Sequence, residues 1–130
     1  YHFSFSGIKT AALYLSRDLG TMDDQTKADF AREFEIATTE VLLKKTFKAV
    51  EEFNPQTLIV SGGVSANTYI KEKFEEKIKT SYPNITLLFP TQELATDNAI
   101  MIGMAGYFDA LHGKSKSPEK IRAFGNLKLS

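Results

Sequence analysis

The chain has 130 residues, of which 42% are hydrophobic and 25% charged, and this balance excludes a disordered or collagen-like protein. Its 16 basic and 16 acidic side chains cancel, so no strong net field draws the chain onto nucleic acid or an anionic membrane. The absence of cysteine excludes disulfides, thiolate catalysis and cysteine-based zinc sites. The length fits one domain. Because the sequence lacks a secretory-type start and an apolar run of about 20 residues, we expect a cytoplasmic protein.

Three aromatic residues alternate at the start of the chain, Tyr1, Phe3 and Phe5. Alternation places side chains on one face of an extended segment, so these rings are predicted to share a face that needs a partner. The chain starts at Tyr1 without an initiator methionine. We therefore expect it to be a piece of a longer protein.

Two helices are predicted in the first 53 residues. Apolar residues recur at helical spacing from Ile8 to Leu19, and Gly20 is a natural stop. A longer helical pattern runs from about residue 28 to residue 53 and ends before Pro55. Its apolar residues follow two different lines around the helix, so the helix is expected to change neighbours midway. The first line contains Phe30, Phe34, Ala37 and Val41, and the second contains Ile36, Leu43, Phe47 and Val50.

The rest of the chain alternates strands and helices. Residues 57–60 are predicted to form a buried strand, followed by the paired glycines and a helix over about 67–79. Residues 85–89 form a second short apolar strand, and a last helix is expected over about 98–111. This order predicts the α/β class, with neighbouring parallel strands joined by a crossover.

Gly62 and Gly63 follow the first predicted strand, and Asn67 stands at the next helix start. Without Cβ atoms, the glycines allow close approach of a phosphate or positive φ, or they only form a tight turn, and the residues favour neither alternative. The Asn67 amide could contact a nucleotide sugar or an acyl group. As an isolated residue, it is better explained as a helix cap.

Asp97 stands between the second strand and the last helix. A carboxylate there can cap the helix, complement its dipole or bind a divalent cation. One aspartate does not make a metal site. His2 and His112 lack the spacing that would place two imidazoles on one helical face, so both are predicted to be surface residues.

The last predicted helix carries a stripe of small residues, Ala99, Gly103 and Gly106. Interior glycines cost a helix about 1 kcal/mol each, so the stripe predicts a close crossing with another helix. Much of the remaining core is expected from the bulky residues of this helix, Ile100, Met104, Tyr107, Phe108 and Leu111. The basic tail that follows could touch RNA phosphates, although a solvated terminus is the favoured interpretation.

Three motifs together resemble one known family: FSFSGIKTA at residues 3–11, VSGGVSAN at 60–67 and TDNAIMIG at 96–103. In this order they are similar to the C-terminal part, less than half, of the tRNA N6-adenosine threonylcarbamoyltransferases, called TsaD or Gcp in bacteria and Kae1 elsewhere. The resemblance implies the second lobe of an actin-like, sugar-kinase-like (ribonuclease H-like) ATPase fold with a helical insertion. Residues 1–53 would be the insertion region, 54–113 the α/β nucleotide-binding core and 114–130 the basic tail.

The resemblance also implies a reaction, in which a threonylcarbamoyl group moves from its adenylate to N6 of the adenine 3′ of the anticodon and AMP is released. It implies one divalent metal, iron or zinc, in the full-length protein and an adenylate or ATP-type nucleotide. The implied partners are tRNA and TsaB-like and TsaE-like proteins.

Residue by residue, the resemblance makes Asn67 a substrate contact, Gly62 and Gly63 the phosphate-side loop, and Asp97 a metal ligand. The family's paired metal histidines would lie upstream of Tyr1, so this chain by itself is expected to be inactive and to contain no catalytic residue. Ala95 stands where members usually carry cysteine, and this change affects none of the four residues.

Two alternatives come from other classes of protein. One is a non-catalytic, TsaB-like scaffold of the same tRNA-modifying complex, which would not need Asn67 and Asp97. The other is a small-molecule kinase lobe of the same superfamily, with Gly62 and Gly63 on an ATP phosphate. An HxxxH motif in the parent gene would disfavour the kinase.

Overall fold

The computed structural model describes residues 1–96, 99–114, 117–120 and 122. These residues form a helix-rich chain with one small parallel sheet, as the predicted α/β class requires. A short 3-10 helix at Gly63–Ala66 follows the first strand, and another lies at Pro118–Lys120. The other elements are α1 (Ser6–Leu19), α2 (Asp24–Phe53), β1 (Thr57–Ile59), α3 (Thr68–Ser81), β2 (Thr86–Leu88), α4 (Gln92–Ala95) and α5 (Ala99–Leu111).

The boundaries of α1 and α2 follow from their capping residues. Gly20 ends α1 with a φ of +64°, and its N–H donates to the carbonyl of Arg17. Helix α2 begins at Asp24 rather than near residue 28, because the Asp23 carboxylate accepts a hydrogen bond from the Thr26 N–H at 2.8 Å. The sequence pattern missed this start because the first turn of α2 is polar.

Helix α2 changes neighbours midway, as its two apolar lines predict. In its first half, Phe30, Phe34 and Ala37 face α1 across a small apolar cavity of about 220 Å³. In its second half, Phe47 and Val50 are buried. They belong to the main core, which they form with the buried α3 residues Ile70, Phe74 and Ile78.

The two strands pair in parallel, with Leu58 opposite Leu87 and Ile59 opposite Leu88. One face of this sheet packs on the core through Leu58 and Leu87. On the other face, Ile59 is 66% exposed and Leu88 is 47% exposed. The prediction of a buried strand at residues 57–60 is therefore wrong for this chain, because the described residues cover only one face of the sheet.

Helix α5 is exposed along its whole length, and none of its residues is buried. The bulky side chains that were predicted to complete the core are between 49% and 63% exposed, so that prediction is wrong within the described residues. A Cβ added at Gly103 or Gly106 would meet no described atom within 4 Å. The close helix crossing predicted from the small-residue stripe is therefore not formed by the described part of this chain.

The aromatic start of the chain lies along α2. The Phe3 and Phe5 rings stack with their planes within 5° of parallel, as expected for alternate residues that share a face. The Lys45 ammonium lies 5.2 Å from the centre of the Phe3 ring, and the Tyr1 ring packs against Phe53. The surface of α2 thus provides a partner for part of this aromatic face. In the described ranges, no helix combines the length and apolar character needed to cross a bilayer.

Candidate functional site

The segments that follow the two strands meet at one edge of the sheet. The strands are parallel, so both carboxyl ends point the same way. After β1, the chain passes through Gly62 and Gly63 into the first 3-10 helix, and after β2 it enters α4. Helix α4 contacts that 3-10 helix. The structure therefore brings the glycine loop next to the segment that leads to Asp97.

The two glycines differ in what their backbones require. Gly62 has a φ of +93° and a ψ of 168°, a conformation that residues with a side chain rarely adopt. Gly63 needs no such conformation, and a Cβ added there would meet no described atom within 4 Å. The Gly62 carbonyl accepts hydrogen bonds from the backbone N–H and the hydroxyl of Ser65, at 2.9 and 2.7 Å. The turn thus explains why residue 62 is a glycine. Packing within the described chain does not explain why residue 63 is one.

The glycine pair does not open directly into α3. The four-residue 3-10 helix intervenes, and α3 begins only at Thr68. The Asn67 side chain occupies the start of α3, where its Oδ1 accepts a hydrogen bond from the Ile70 N–H at 2.9 Å. The helix-cap interpretation of Asn67 is therefore confirmed, which leaves a substrate contact as an additional role to be tested.

The other end of the Asn67 amide reaches α2. Its Nδ2 donates to Oε1 of Glu35 at 2.6 Å. Both residues are half-buried and line a cavity of about 510 Å³ between α2 and the glycine loop. Phe5 from the first motif and Val64 from the second also line this cavity, so two of the three motifs meet there.

The comparisons with known proteins agree on one family. The sequence profile of TsaD, described as tRNA N6-adenosine threonylcarbamoyltransferase, matches residues 1–104. The protein of that name from Thermosipho africanus is 44% identical over 130 residues, which cover 99% of this chain and 38% of the relative. The Thermosipho melanesiensis protein is 47% identical over 131 residues, covering 99% of this chain and 37% of the relative. For the Dictyoglomus turgidum protein, the identity is 46% over 105 residues, 80% of this chain and 31% of the relative.

The chain belongs to the TsaD family. It spans between 31% and 38% of the length of these three relatives. The motifs that carry the resemblance in the sequence lie within the matched residues 1–104. The predicted membership is therefore confirmed. Family membership also implies the actin-like fold, with which the helix-rich chain and its small parallel sheet are consistent.

A metal site cannot be assembled from the described part of this TsaD-family chain. Asp97, the predicted ligand, lies outside the described residues. No group of three or more His, Asp or Glu side chains within the described ranges is arranged to hold a metal ion. His112 is exposed at the end of α5, where its Nδ1 lies 2.7 Å from the carbonyl oxygen of Phe108, and His2 is exposed at the other end of the chain. The described residues alone therefore do not form a metal site.

Glu35, which contacts Asn67 and lines this cavity, was not predicted from the sequence. It lies on neither of the two apolar lines of α2 and, in the sequence, is one of several acidic residues of that helix. Its partner is 32 residues away in the sequence, so no local spacing signals the contact. In the sequence, a glutamate one position after Phe34 on a helix is only a weak signal of such a contact.

Proposed function

We propose that this chain is the C-terminal part of a longer tRNA-modifying enzyme that transfers threonylcarbamoyl from threonylcarbamoyl adenylate to N6 of the adenine 3′ of the anticodon. The observation that carries the proposal is the family match over residues 1–104, together with relatives of this name that align with nearly the whole chain. In the reaction, a bond forms between N6 and the carbamoyl carbon. The bond from that carbon to the phosphate oxygen breaks, N6 loses a proton and AMP leaves.

The glycine loop and Asn67 are proposed to bind the adenylate. The open space at Gly63 and the exposed loop from Ser61 to Val64 would let a phosphate group approach the backbone closely. Asn67 borders the same loop, and its amide can both donate and accept hydrogen bonds. The chain's own contribution to the reaction would be to hold and orient the acyl adenylate.

Asp97 is proposed to supply one ligand to a divalent metal, iron or zinc. Ala95, two residues earlier, is 5% exposed at the end of α4, which contacts the 3-10 helix of the glycine loop. This contact supports a shared cleft between Asn67 and Asp97. The other ligands would come from the rest of the longer protein. A bound metal would polarise the acyl group, and the chain alone is expected to be inactive.

The chain is proposed to form the second lobe of the actin-like fold, with residues 1–53 as the helical insertion, 54–113 as the α/β core and 114–130 as the tail. The exposed apolar face of the sheet and the exposed side chains of α5 support this assignment, because parallel sheets are normally covered on both faces. The first lobe of the longer protein would cover part of these surfaces. The proposed partners are tRNA and TsaB-like and TsaE-like proteins.

The test is reconstitution of the full-length protein with tRNA, its proposed partners and threonylcarbamoyl adenylate. The modified adenosine is then measured by mass spectrometry after digestion of the tRNA. We expect stoichiometric modification of the adenine 3′ of the anticodon by the full-length protein and none by the 130-residue chain. Failure of the full-length protein to modify tRNA, or ATP-dependent phosphorylation of a small molecule instead, would overturn the proposal.

A further inference from the structure

One hydrogen bond joins α2 to the loop that follows β1. Glu35 Oε1 accepts from Asn67 Nδ2 at 2.6 Å. An ionised carboxylate only accepts hydrogen bonds, so the amide must present its NH₂ group to Glu35 and its oxygen to the other side. The Ile70 N–H, which donates to Oδ1, requires the same orientation. Two independent contacts therefore determine which way the Asn67 amide faces.

These two contacts use only part of the hydrogen-bonding capacity of the Asn67 amide, and the rest can serve a ligand. An asparagine side chain offers two N–H donors and two acceptor lone pairs. Glu35 takes one donor and the Ile70 N–H takes one lone pair. One donor and one acceptor remain, fixed in direction. That pair is suited to a ligand group that both accepts and donates, such as a hydroxyl or a carbamoyl.

The residues around Asn67 favour a single orientation of its side-chain amide. Among the described residues that line the 510 Å³ cavity beside Asn67, Glu35 is the one charged residue, and most of the others are apolar. A charge-assisted hydrogen bond is stronger in a medium of low polarity than in water. The apolar residues that line this cavity are Phe5, Ala31, Phe34, Leu42, Val64 and Ile70.

We propose that Glu35 is a positioning residue, which holds the Asn67 amide in the orientation that the adenylate requires. The inference rests on the proposed function for the identity of the ligand. Glu35 would act through Asn67. Because the bond exists before the ligand arrives, the entropy of ordering the amide is lost on folding and not on binding.

The kinetic test uses the full-length enzyme with its partners and compares Glu35→Ala with Glu35→Gln. We expect Glu35→Ala to raise KM for threonylcarbamoyl adenylate by about fivefold, since an unfixed side chain must be ordered on binding. The value of kcat should change less than KM, because the contact is made before the transition state. Glu35→Gln should restore most of the loss, since its carbonyl oxygen can accept the same hydrogen bond. Glu40→Ala, at an exposed position on α2, is the matched control and should behave like the wild type.

A second measurement does not depend on the reaction. In protein labelled with ¹⁵N-asparagine, the Asn67 side-chain signal can be assigned from its disappearance in Asn67→Ser. We expect one Nδ2 proton to exchange slowly in the wild type, to exchange fast in Glu35→Ala and to be protected again in Glu35→Gln. If the wild-type enzyme modifies no tRNA, the proposed function fails, and this signal still decides whether Glu35 holds the amide.

Three outcomes would overturn the inference. One is an unchanged KM in Glu35→Ala, and another is tighter adenylate binding, which would mean that Glu35 competes with the ligand for Asn67. The third is a loss of kcat without a change in KM or in the Asn67 signal, which would assign Glu35 a merely structural role.

Discussion

Phe47 of α2 stacks on Tyr82 at the end of α3, with ring centres 5.0 Å apart and planes 15° from parallel. Phe47 also contacts Phe74 at 5.8 Å between ring centres, so one ring joins two points of α3 to α2. Offset and tilted aromatic pairs of this kind add to the stabilisation that comes from burial. This cluster connects the long helix to the α/β part of the chain.

Replacing Phe47 with alanine should therefore destabilise the protein strongly. Phe47 is 4% exposed, and truncation of a buried phenylalanine costs about 3 to 5 kcal/mol. The measurement is urea unfolding followed by circular dichroism. The matched control is Phe53→Ala at the end of the same helix, where the ring is 66% exposed and the loss should be much smaller. Equal losses in the two variants would contradict the assignment of Phe47 to the core.

The two adjacent glycines should respond differently to the same change. Gly62→Ala places a side chain at a φ of +93°, which costs about 1 to 3 kcal/mol. Gly63→Ala meets no described atom within 4 Å and should leave stability nearly unchanged. Because Gly63 is proposed to lie near the phosphate of the adenylate, Gly63→Ala should weaken adenylate binding while the urea unfolding curve stays the same. Calorimetric titration and urea unfolding of the two variants separate these effects.

Asn67→Asp tests the contact with Glu35 through stability. Aspartate keeps an oxygen to cap α3, but it places a second carboxylate where the NH₂ group lies 2.6 Å from Glu35. We expect a loss of about 1 to 3 kcal/mol at neutral pH, from repulsion and from the broken hydrogen bond.

The double variant Glu35→Gln with Asn67→Asp should recover much of that stability, because the glutamine NH₂ group can donate to the new carboxylate. The free energies of unfolding of both single variants and the double variant form a thermodynamic cycle. Strict additivity in that cycle would show that the two side chains do not interact.

The cap of α2 should make stability depend on pH in the acid range. Hydrogen bonds from the Thr26 side chain and backbone N–H lower the pKa of the Asp23 carboxyl below its ordinary value of 3.8. A lowered pKa in the folded state means that the cap contributes fully above pH 3.8 and loses its contribution as the pH falls through the folded-state value.

Asp23→Asn keeps an acceptor for the Thr26 N–H but removes the titration. The urea concentrations at the unfolding midpoints of wild type and Asp23→Asn should therefore converge or cross as the pH is lowered from neutral to below 3.8. Parallel profiles across the range would contradict the ionised cap.

Asp97→Ala tests the proposed metal ligand in the full-length protein. We expect loss of bound iron or zinc by elemental analysis, because a site of few protein ligands loses most of its affinity with one of them. Asp109→Ala, an exposed aspartate of α5, is the control and should keep the metal. A full metal complement in Asp97→Ala would contradict the assignment of Asp97 as a metal ligand.

Local patterns in the sequence predicted the longer helices, the two strands and the family, but not the start of α2, the 3-10 helix at Gly63–Ala66 or α4. The stop of α1 at Gly20 and the α3 cap at Asn67 depend on residues close in sequence. The three motifs by themselves also predict the TsaD family, since each is a short run of residues. Such features are encoded by spacing and residue type, which short segments carry on their own.

Only the tertiary structure decided which surfaces are covered and which side chains meet. Ile59 and Ile100 are as apolar as the core residue Ile70, yet both are exposed, because burial depends on whether another layer packs there. The bond between Glu35 and Asn67 spans 32 residues and is created by the packing of α2 beside the glycine loop. Contacts between residues distant in sequence arise from the global arrangement of elements, which local periodicity does not encode.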